Sequence, residues 1–458
     1  MFPRGQLAKR LLILIGDLVA FQVALLLTIT VRYGGFDRDL WQLNLPAFSI
    51  VSFAWVIGFY IAGLYELTLL REPLRLFRTY LEGMIANLAI ALAFFYLLPI
   101  VGLAPRTILF LFFAISLLIG YGWRLVASRF IQARFARLRI LFIGPAEELR
   151  KVDALLREST LGADVVAAIA TSGEPYRHND IVWLPGMHAF AAALKEQRIT
   201  TVVLGIRPDE LPELKAALYQ SLFTPVDIMD RAEIEEAATG RIPLSYVTET
   251  WFLHHLKENE KEWFESVKRG ADIALAIPVG LFTAILFPFV ALGVKMSSPG
   301  PALYSQMRVG KNGKLFRIWK FRSMGTDSEK NGAQFTADAK TDPRLFAFGR
   351  FMRRTRIDEL PQVWNVFMGD LSFIGPRPER PEFVNPLLER MPYYALRHLT
   401  RPGLTGWAQV RFLTPNATVE DNLKKLQYDL YYIKNRSLLL DALILLKTIG
   451  VVLRRQGT

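Results

Sequence analysis

The sequence predicts a membrane protein in three parts: an α-helical bundle, an α/β domain with a parallel sheet, and a mainly α domain that opens with a re-entrant membrane helix. Three observations predict this fold class. Of the 458 residues, 52% are hydrophobic, and they cluster in long runs. Basic residues flank those runs, and short apolar runs alternate with helical patterns in the middle of the chain. We expect the bundle, the α/β domain, the re-entrant helix and the C-terminal domain at residues 1–135, 136–260, 261–300 and 301–458.

Composition narrows the chemistry that the chain can carry. The 55 Lys and Arg residues outnumber the 42 Asp and Glu residues, which gives a net charge of +13. Because the basic residues lie beside apolar runs, we expect anionic lipid and phosphate as partners and no nucleic acid. Cysteine is absent, which excludes disulfides, thiol nucleophiles and cysteine-ligated zinc. The five histidines include no metal-spaced pair beyond His254 and His255, so catalysis is expected to rest on carboxylates and cations.

Four apolar segments open the chain, each close to the ~20 residues that a helix needs to cross a bilayer. The first is too long for the apolar core of a signal peptide and lacks a small-residue cleavage site, so we expect it to be retained. The segments cover residues 11–31, 45–65, 81–103 and 107–127.

The loops around these segments alternate between rich and poor in positive charge. Two loops are poorer in positive charge, with Arg38 in one and Arg106 in the other, whereas the other flanks are strongly basic. The positive-inside rule then places both ends of the bundle in the cytoplasm. The basic flanks contain Arg4, Lys9, Arg10, Arg71, Arg75, Arg78, Arg124, Arg129, Arg134, Arg137 and Arg139.

A parallel α/β sheet is predicted after the bundle. Residues 139–143 form a buried-strand pattern, followed by Gly144-Pro145 and a helical pattern over 146–158. Further apolar runs at 164–170, 201–206 and 225–229 alternate with helical patterns. A dinucleotide site needs a glycine-rich turn after the first strand, and only Gly144 stands there. We therefore favour a scaffold or regulatory domain without a cofactor.

A fifth apolar run covers residues 271–294 and is long enough to span a membrane. Pro278 and Pro288 interrupt it, and each removes a helix hydrogen bond. Positive charge lies on both flanks, so both ends are expected in the cytoplasm. A broken helix that enters and leaves on one face satisfies the charges and the prolines together, whereas a kinked span would put the C-terminal domain outside. The flanking cations are Lys268, Arg269, Lys295, Arg308, Lys311, Lys314, Arg317, Lys320 and Arg322.

Two adjacent carboxylates, Asp358 and Glu359, follow a basic cluster in the C-terminal region. Asp342-Pro343 is typical of a helix start. A second helix is expected from Asp358 or Glu359 to Gly369, because proline is tolerated in a first helical turn. Its positive dipole end and the arginines would hold both carboxylates ionised. The first helix ends in Arg350, Arg353, Arg354 and Arg356.

This carboxylate pair suits phosphoryl chemistry. One ionised carboxylate can attack phosphorus while its neighbour holds a divalent cation that neutralises a diphosphate. The nearby arginines can stabilise charge on the phosphoryl group that is transferred. Spacing alone leaves an alternative open, in which Asp358 and Glu359 are surface carboxylates that form ion pairs with the arginines.

Three further motifs place cations on loops. Lys320-Phe321-Arg322-Ser323-Met324 puts two cations and a hydroxyl around an apolar anchor. Gly375-Pro376-Arg377-Pro378 follows a short strand, 371–374, and its prolines can aim Arg377. Residues 401–409 form a rigid turn that begins with Arg401. Three separate cations near a carboxylate pair suit a diphosphate substrate.

In this order, Lys320 to Met324, Asp358-Glu359-Leu360-Pro361-Gln362, Gly375 to Pro378 and Arg401 to Gln409 resemble the bacterial sugar transferase family, the monotopic-type polyprenyl-phosphate phosphoglycosyl transferases. The resemblance covers roughly residues 267–455. The front half resembles the large members, which carry a four-helix membrane bundle and a Rossmann-like domain.

The resemblance implies an activity and a location. It implies transfer of a sugar-1-phosphate from a UDP-sugar to undecaprenyl (polyprenyl) phosphate with release of UMP, as the initiating step of exopolysaccharide, O-antigen or capsule assembly. It implies a multi-pass protein of the bacterial inner membrane, in contact with membrane lipids, with a cytoplasmic catalytic domain. A homodimer through the front half is compatible with the sequence but not derivable from it.

The resemblance also implies roles for individual residues. Asp358 matches the family nucleophile, which forms a covalent phosphosugar intermediate, and Glu359 matches the partner carboxylate that binds Mg²⁺. Arg353 matches a phosphate-binding arginine, and Asp429 matches a late aspartate of supporting role. Lys320, Arg322, Arg377 and Arg401 lie in family motifs and are expected to contact phosphate or nucleotide. The chain departs from the family at the membrane helix, where Phe287 precedes Pro288 in place of a Ser-Pro pair.

Three rival functions are less consistent with the sequence. A sugar-nucleotide dehydratase or epimerase needs a glycine-rich NAD motif and a Y-x-x-x-K, and neither occurs. A membrane scaffold or transporter component needs no carboxylate pair among cations. A metal-dependent glycosyltransferase could use the D-x-D of Asp37-Arg38-Asp39, but that motif falls in a loop predicted to lie outside.

Overall fold

A computed structural model of the chain describes residues 4–67, 69–71, 73–97, 106–134, 138–159, 161–173, 181–207, 210, 212–221, 223–224, 226–256, 261–328, 342–391, 393–412 and 418–453. The chain divides into two compact units, Met1–Thr239 and Gly240–Thr458. Helices predominate in both units.

Four apolar helices begin the first unit, which confirms the four predicted apolar segments as helices. Each contains a stretch long and apolar enough to cross a bilayer, as does a fifth helix in the second unit. The four are α1 (Arg4–Tyr33), α2 (Arg38–Ile61), α3 (Pro73–Leu97) and α4 (Arg106–Arg134).

Capping residues, rather than hydrophobicity, set the starts of these helices. α2 begins at Arg38, seven residues before the predicted start, because the Asp37 carboxylate accepts hydrogen bonds from the backbone N–H groups of Asp39 (2.9 Å) and Leu40 (3.0 Å). α3 begins at Pro73 instead of residue 81, with proline in the first turn. The predicted end of the third segment, at residues 98–103, lies outside the described residues.

A buried ion pair joins the first and last helices of the bundle. Arg124 donates to Asp17 at 2.6 Å, and both side chains are fully buried. The same guanidinium donates to the carbonyl oxygen of Leu64, and the Tyr65 hydroxyl donates to Asp17. Because a buried charge without its partner is costly, this pair favours one alignment of α1 against α4.

The predicted parallel sheet is present in the first unit. Its strand order is β3-β2-β1-β4-β5, and every neighbouring pair is parallel. β1 and β4 lie in the interior of the sheet. β1 is buried from Ile140 to its end, and every residue of β4 is buried. The strands are β1 (Leu138–Gly144), β2 (Ala163–Ala170), β3 (Val182–Trp183), β4 (Thr201–Leu204) and β5 (Asp227–Asp230); the helices are α5 (Ala146–Glu158), α6 (Phe190–Glu196), α7 (Pro212–Ser221) and α8 (Arg231–Thr239).

The second unit is built along one long helix, α10 (Glu262–Ser297). The predicted interruption at Pro278 and Pro288 is absent, because the helix continues through both prolines. Each proline removes one backbone hydrogen bond, and the intact turns on either side maintain the helix.

One side of α10 packs against its own unit along the whole length of the helix. Near the start, Lys268 pairs with Asp441, and Asp272 accepts a hydrogen bond from Ser372 at 3.0 Å. At the end, Arg322 donates to the Ser298 hydroxyl and to its carbonyl oxygen, while α10 residues between these points contribute to two apolar clusters. The opposite side is apolar and exposed, at Ile277, Leu281, Phe282, Ile285, Phe289, Leu292 and Met296.

The remaining elements of the second unit surround this helix. β6 (Leu303–Val309) and β7 (Leu315–Phe321) form an antiparallel hairpin, and β8 (Ser372–Ile374) pairs in parallel with β9 (Gly403–Thr405). The helices are α9 (Glu249–His255), α11 (Ala347–Thr355), α12 (Val363–Met368), α13 (Pro381–Arg390), α14 (Trp407–Arg411), α15 (Val419–Asn435) and α16 (Leu438–Leu453), with 3-10 turns at Ile357–Gln362 and Tyr394–His398.

Candidate active site

The two carboxylates lie in the 3-10 turn Ile357–Gln362, not at the start of an α-helix as predicted. α11 ends at Thr355, and Arg356 adopts a left-handed conformation (φ 59°) that redirects the chain. Pro361 disfavours α-helical geometry for the residue before it, which accounts for the tighter turn. α12 then begins at Val363, so the predicted contribution of an α-helix dipole at the carboxylates is wrong.

The predicted helix start at Asp342 is also wrong. The Asp342 carboxylate accepts hydrogen bonds from the backbone N–H of Arg344 (3.1 Å) and from its guanidinium (2.7 Å). The side chain therefore closes a turn, and α11 begins five residues later at Ala347. Of the four arginines predicted at the end of this helix, Arg353 and Arg356 act on the Asp358 carboxylate.

Glu359 lies among three cations from three segments. Lys320 donates to it at 2.8 Å and Arg377 at 3.1 Å, while Arg356 lies 4.0 Å away. Burial alone would raise the pKa of Glu359, but Lys320, Arg377 and Arg356 hold the pKa well below its ordinary value. Glu359 is therefore anionic throughout the physiological range, as predicted.

Asp358 lies beside Glu359 in a different environment. Its side chain is buried, and within the described part of the chain its Oδ1 atom has no hydrogen-bond partner. Burial and the Glu359 charge raise the pKa of Asp358 to about 6, against the opposing effect of Lys320 and the nearby arginines. The prediction that the surroundings hold this carboxylate ionised is thus wrong in direction, although it still ionises above about pH 6.

Arg353 connects the carboxylates to the segment that follows β7. Its Nε donates to the Ser323 hydroxyl at 3.1 Å, and its charge lowers the pKa of Asp358. Gly349 allows α11 to approach this segment, because a Cβ atom there would lie 2.0 Å from the Ser323 carbonyl oxygen.

Two predicted phosphate-binding cations serve other contacts. Arg322 donates to the carbonyl oxygen of Pro301 (2.6 Å) and to Ser298, so its guanidinium fixes the chain that follows α10. Arg401 lies 4.0 Å from Glu265 at the other end of α10. Neither has a described contact with the carboxylate pair, and burial lowers the pKa of Arg322. The motif cations that do meet at the carboxylates are Lys320 and Arg377.

Asp429 reaches the site through a buried arginine that the sequence analysis missed. Arg397 donates to Asp429 at 2.8 Å, to the Tyr394 hydroxyl at 2.6 Å and to the backbone carbonyl of Arg377 at 3.1 Å. Burial raises the pKa of Asp429 to about 6, although Arg397 lowers it. Arg397 lies in none of the motifs, and no spacing in the sequence distinguishes it from other arginines.

Comparisons with known proteins identify the family of the C-terminal region. The model of the family described as "Bacterial sugar transferase" matches residues 263–455. The exopolysaccharide production protein PSS of Rhizobium leguminosarum bv. phaseoli is 40% identical over 194 residues, which are 41% of this chain and 96% of that protein. The chain belongs to the bacterial sugar transferase family.

Larger relatives of this sugar transferase are matched in part. An Aeromonas hydrophila protein named UDP-N-acetylgalactosamine-undecaprenyl-phosphate N-acetylgalactosaminephosphotransferase is 40% identical over 268 residues, 57% of this chain and 60% of that protein. The UDP-glucose:undecaprenyl-phosphate glucose-1-phosphate transferase of Escherichia coli (strain K12) is 39% identical over 184 residues, 40% of this chain and 39% of that protein. The match thus spans less than two thirds of the length of these two relatives.

The residues of this sugar transferase fit a magnesium ion at the carboxylate pair. Among the described residues there is no group of three or more His, Asp and Glu side chains that could enclose a metal ion. Mg²⁺ is commonly bound by one or two carboxylates together with substrate phosphates, and it needs no all-protein cage. Glu359 and the unpartnered oxygen of Asp358 form such a partial donor set.

Proposed function

We propose that this chain transfers a sugar-1-phosphate from a UDP-sugar to undecaprenyl phosphate, with release of UMP, through a covalent phosphosugar on Asp358. One observation carries the proposal: a buried carboxylate with a free oxygen lies beside a second carboxylate that three cations surround. The names of the Aeromonas and E. coli relatives support the two substrates, and the name of the Rhizobium relative supports a place in exopolysaccharide production. For this chain we propose the initiating step of such a glycan.

The first half-reaction uses Asp358 as the nucleophile. A carboxylate oxygen attacks the sugar-bearing phosphorus, the bond from that phosphorus to the bridging oxygen breaks, and UMP leaves with the electron pair. Lys320, Arg377 and Arg353 provide positive charge where negative charge develops. Mg²⁺, when bound at Glu359, supplies further neutralisation of the diphosphate.

The second half-reaction returns the enzyme to its starting state. A phosphate oxygen of undecaprenyl phosphate attacks the same phosphorus, and the aspartyl oxygen leaves as a carboxylate. The pKa of about 6 suits Asp358 to both steps, because the group is anionic near neutral pH and is a better leaving group than an alkoxide. One site performing two similar displacements predicts ping-pong kinetics.

We also propose a membrane arrangement for the chain. The four N-terminal helices span the bilayer, the parallel sheet belongs to a Rossmann-like domain, and the continuous helix α10 lies at the cytoplasmic face of the membrane without crossing it. Support for the last point comes from the packing of α10, since both of its ends bind the same unit. A transmembrane orientation would carry the polar contacts along this continuous helix, at Lys268, Asp272 and Ser298, into or across the hydrocarbon layer.

The test of the reaction is incubation with the UDP-sugar and Mg²⁺ but without lipid acceptor. We expect about one UMP per enzyme and a phosphosugar mass on the peptide that holds Asp358. Asp358→Asn should lose transfer by roughly 10³-fold or more while still binding donor, and Glu359→Gln should lose both activity and metal dependence. Glu389→Gln, on an exposed carboxylate outside the site, is the matched control. UMP release that requires the lipid, with no trapped adduct, would instead support direct transfer through a ternary complex.

A further inference from the structure

An apolar groove of about 650 Å³ lies in the second unit between α10, the β6–β7 hairpin and α12. Among its described lining residues none is charged, and the one hydroxyl, on Thr283, donates to the carbonyl of Val279 at 2.7 Å. The groove therefore offers an occupant a mainly apolar surface, with the indole N–H groups of Trp319 and Trp364 as its other polar groups. Its walls include Ile277, Leu281, Phe287, Trp319, Val363 and Phe367.

The groove adjoins the carboxylate pair through two shared segments. Trp319 and Pro361 line the groove, and their near neighbours Lys320 and Glu359 form the 2.8 Å ion pair of the site. The site thus concentrates positive charge, whereas the groove beside it is uncharged. This combination is complementary to an amphiphile with a phosphate head and a hydrocarbon tail.

The opening of the groove suits a ligand that arrives from lipid. Ile277 and Leu281 are 51% and 64% exposed, and they belong to the apolar exposed side of α10, one of the five helices apolar enough for a membrane. A tail in the groove would therefore remain continuous with that apolar surface. A nucleotide-sugar, whose diphosphate and sugar are polar, would gain less from this groove than a hydrocarbon tail would.

We propose that the groove holds the first isoprene units of the polyprenyl phosphate acceptor and orients its phosphate toward Asp358. This inference rests on the proposed function and deepens it, because it assigns the tail of the acceptor to a surface that does not bind the donor. Groove contacts therefore act in the second half-reaction only, and donor cleavage does not depend on them.

The test fills the groove with a tryptophan side chain and uses the same substitution at a neighbouring residue outside the groove as the control. Ala284 lines the groove, whereas Ile285 is 67% exposed and does not. Ala284→Trp should release UMP from donor alone at the wild-type rate but discharge the phosphosugar to undecaprenyl phosphate with an acceptor KM raised about tenfold or more. A five-carbon prenyl phosphate has no long tail to place in the groove. With this acceptor, Ala284→Trp and the control Ile285→Trp should both have the acceptor KM of the wild type.

Each other outcome has a defined meaning. The groove assignment is overturned if Ala284→Trp, Ile285→Trp and the wild type have the same acceptor KM. It is also overturned if Ala284→Trp, but not Ile285→Trp, loses donor cleavage while its thermal unfolding midpoint is unchanged. If the wild type transfers to undecaprenyl phosphate without releasing UMP beforehand, the covalent mechanism fails, yet the same acceptor KM comparison still decides the groove. A wild-type protein that uses no polyprenyl phosphate refutes the proposed function itself.

Discussion

Asp358 and Glu359 are neighbours in the chain, yet their surroundings drive their pKa values in opposite directions. Three cations lower the pKa of Glu359, whereas burial and the Glu359 charge raise that of Asp358. We propose that the pair divides two tasks, because a permanent anion suits a metal ligand and a group that ionises near neutral pH suits a nucleophile that must later leave.

This difference predicts the pH dependence of donor cleavage. The nucleophile must be deprotonated, so UMP release should rise with pH through about 6 and level off above it. At pH 5 the rate should be roughly tenfold below the plateau. Rapid-quench measurement of UMP from donor alone between pH 5 and 8 gives the midpoint directly.

The substitution Lys320→Met tests whether Asp358 is the group that sets this pH dependence. Lys320 lowers the pKa of Asp358, so its removal should shift the acid limb to higher pH, in addition to lowering the plateau. Lys314→Met, on an exposed residue next to β7, is the control and should leave the midpoint unchanged. An identical midpoint in wild type and Lys320→Met would contradict the assignment of the limb to Asp358.

Arg397 is predicted to be a positioning residue that acts through Arg377. It holds the backbone carbonyl of Arg377, whose guanidinium binds Glu359. Arg397→Lys should lower kcat/KM for donor cleavage by roughly 10-fold or more, yet cost little further in an Arg377→Ala background, a coupling of about 1–3 kcal/mol.

A merely structural role for Arg397 gives a different pattern. In that case Arg397→Lys would lower activity equally in both backgrounds and would lower the thermal unfolding midpoint in parallel. Asp429→Asn should resemble Arg397→Lys, because Asp429 fixes the same guanidinium at 2.8 Å.

At the scale of elements, the site depends on how closely α11 approaches the segment after β7. A Cβ atom on Gly349 would lie 2.0 Å from the Ser323 carbonyl oxygen, so the helix must move away if alanine replaces it. Gly349→Ala should destabilise the protein by about 1–3 kcal/mol, against the usual gain of alanine in a helix. It should also weaken donor cleavage, because Arg353 would lose Ser323.

Gly270 in α10 provides the matched control for this substitution. A Cβ atom there meets nothing within 4 Å, so Gly270→Ala should be neutral or stabilising by up to about 1 kcal/mol. Thermal unfolding of both variants in detergent measures the difference. Equal unfolding midpoints for the two variants would show that α11 can yield at Gly349.

The elements also indicate what the sequence can and cannot predict at this scale. Apolar runs located all four N-terminal helices and four of the five parallel strands, because hydrophobic periodicity is a local property. The fifth strand, β3, has only two residues and was missed. The ends were less accurate: a cap at Asp37 and a proline at residue 73 extended α2 and α3 beyond their apolar cores. The 3-10 turn at Ile357–Gln362 was missed because proline is tolerated in the first turn of an α-helix, where the prediction placed Pro361.

At the scale of the whole molecule, we predict that α10 does not cross the bilayer. Its two ends bind the same unit, so both should face the cytoplasm. Because the chain has no cysteine, single cysteines at Glu262 and Lys314 can be labelled without background. Both should react with an impermeant maleimide only from the cytoplasmic side.

Gly35→Cys provides the internal reference for this experiment. Gly35 lies between α1 and α2 with open space around it, in a loop predicted to face the outside, so it should be labelled from that side only. Labelling of Glu262→Cys and Lys314→Cys from opposite sides would establish a membrane-spanning α10 and contradict the proposed arrangement.

The sequence by itself determined the apolar helices, the parallel sheet, the carboxylate pair and the family, since these depend on residues close together in the chain. The tertiary structure alone decided which cations meet at the pair. Lys320 lies 39 residues from Glu359 and Arg397 lies 32 from Asp429, whereas the motif residues Arg322 and Arg401 serve α10 instead. Burial and ion pairing between such distant segments set the pKa values, and the same packing forms the apolar groove, because both depend on which surfaces the folded chain brings together.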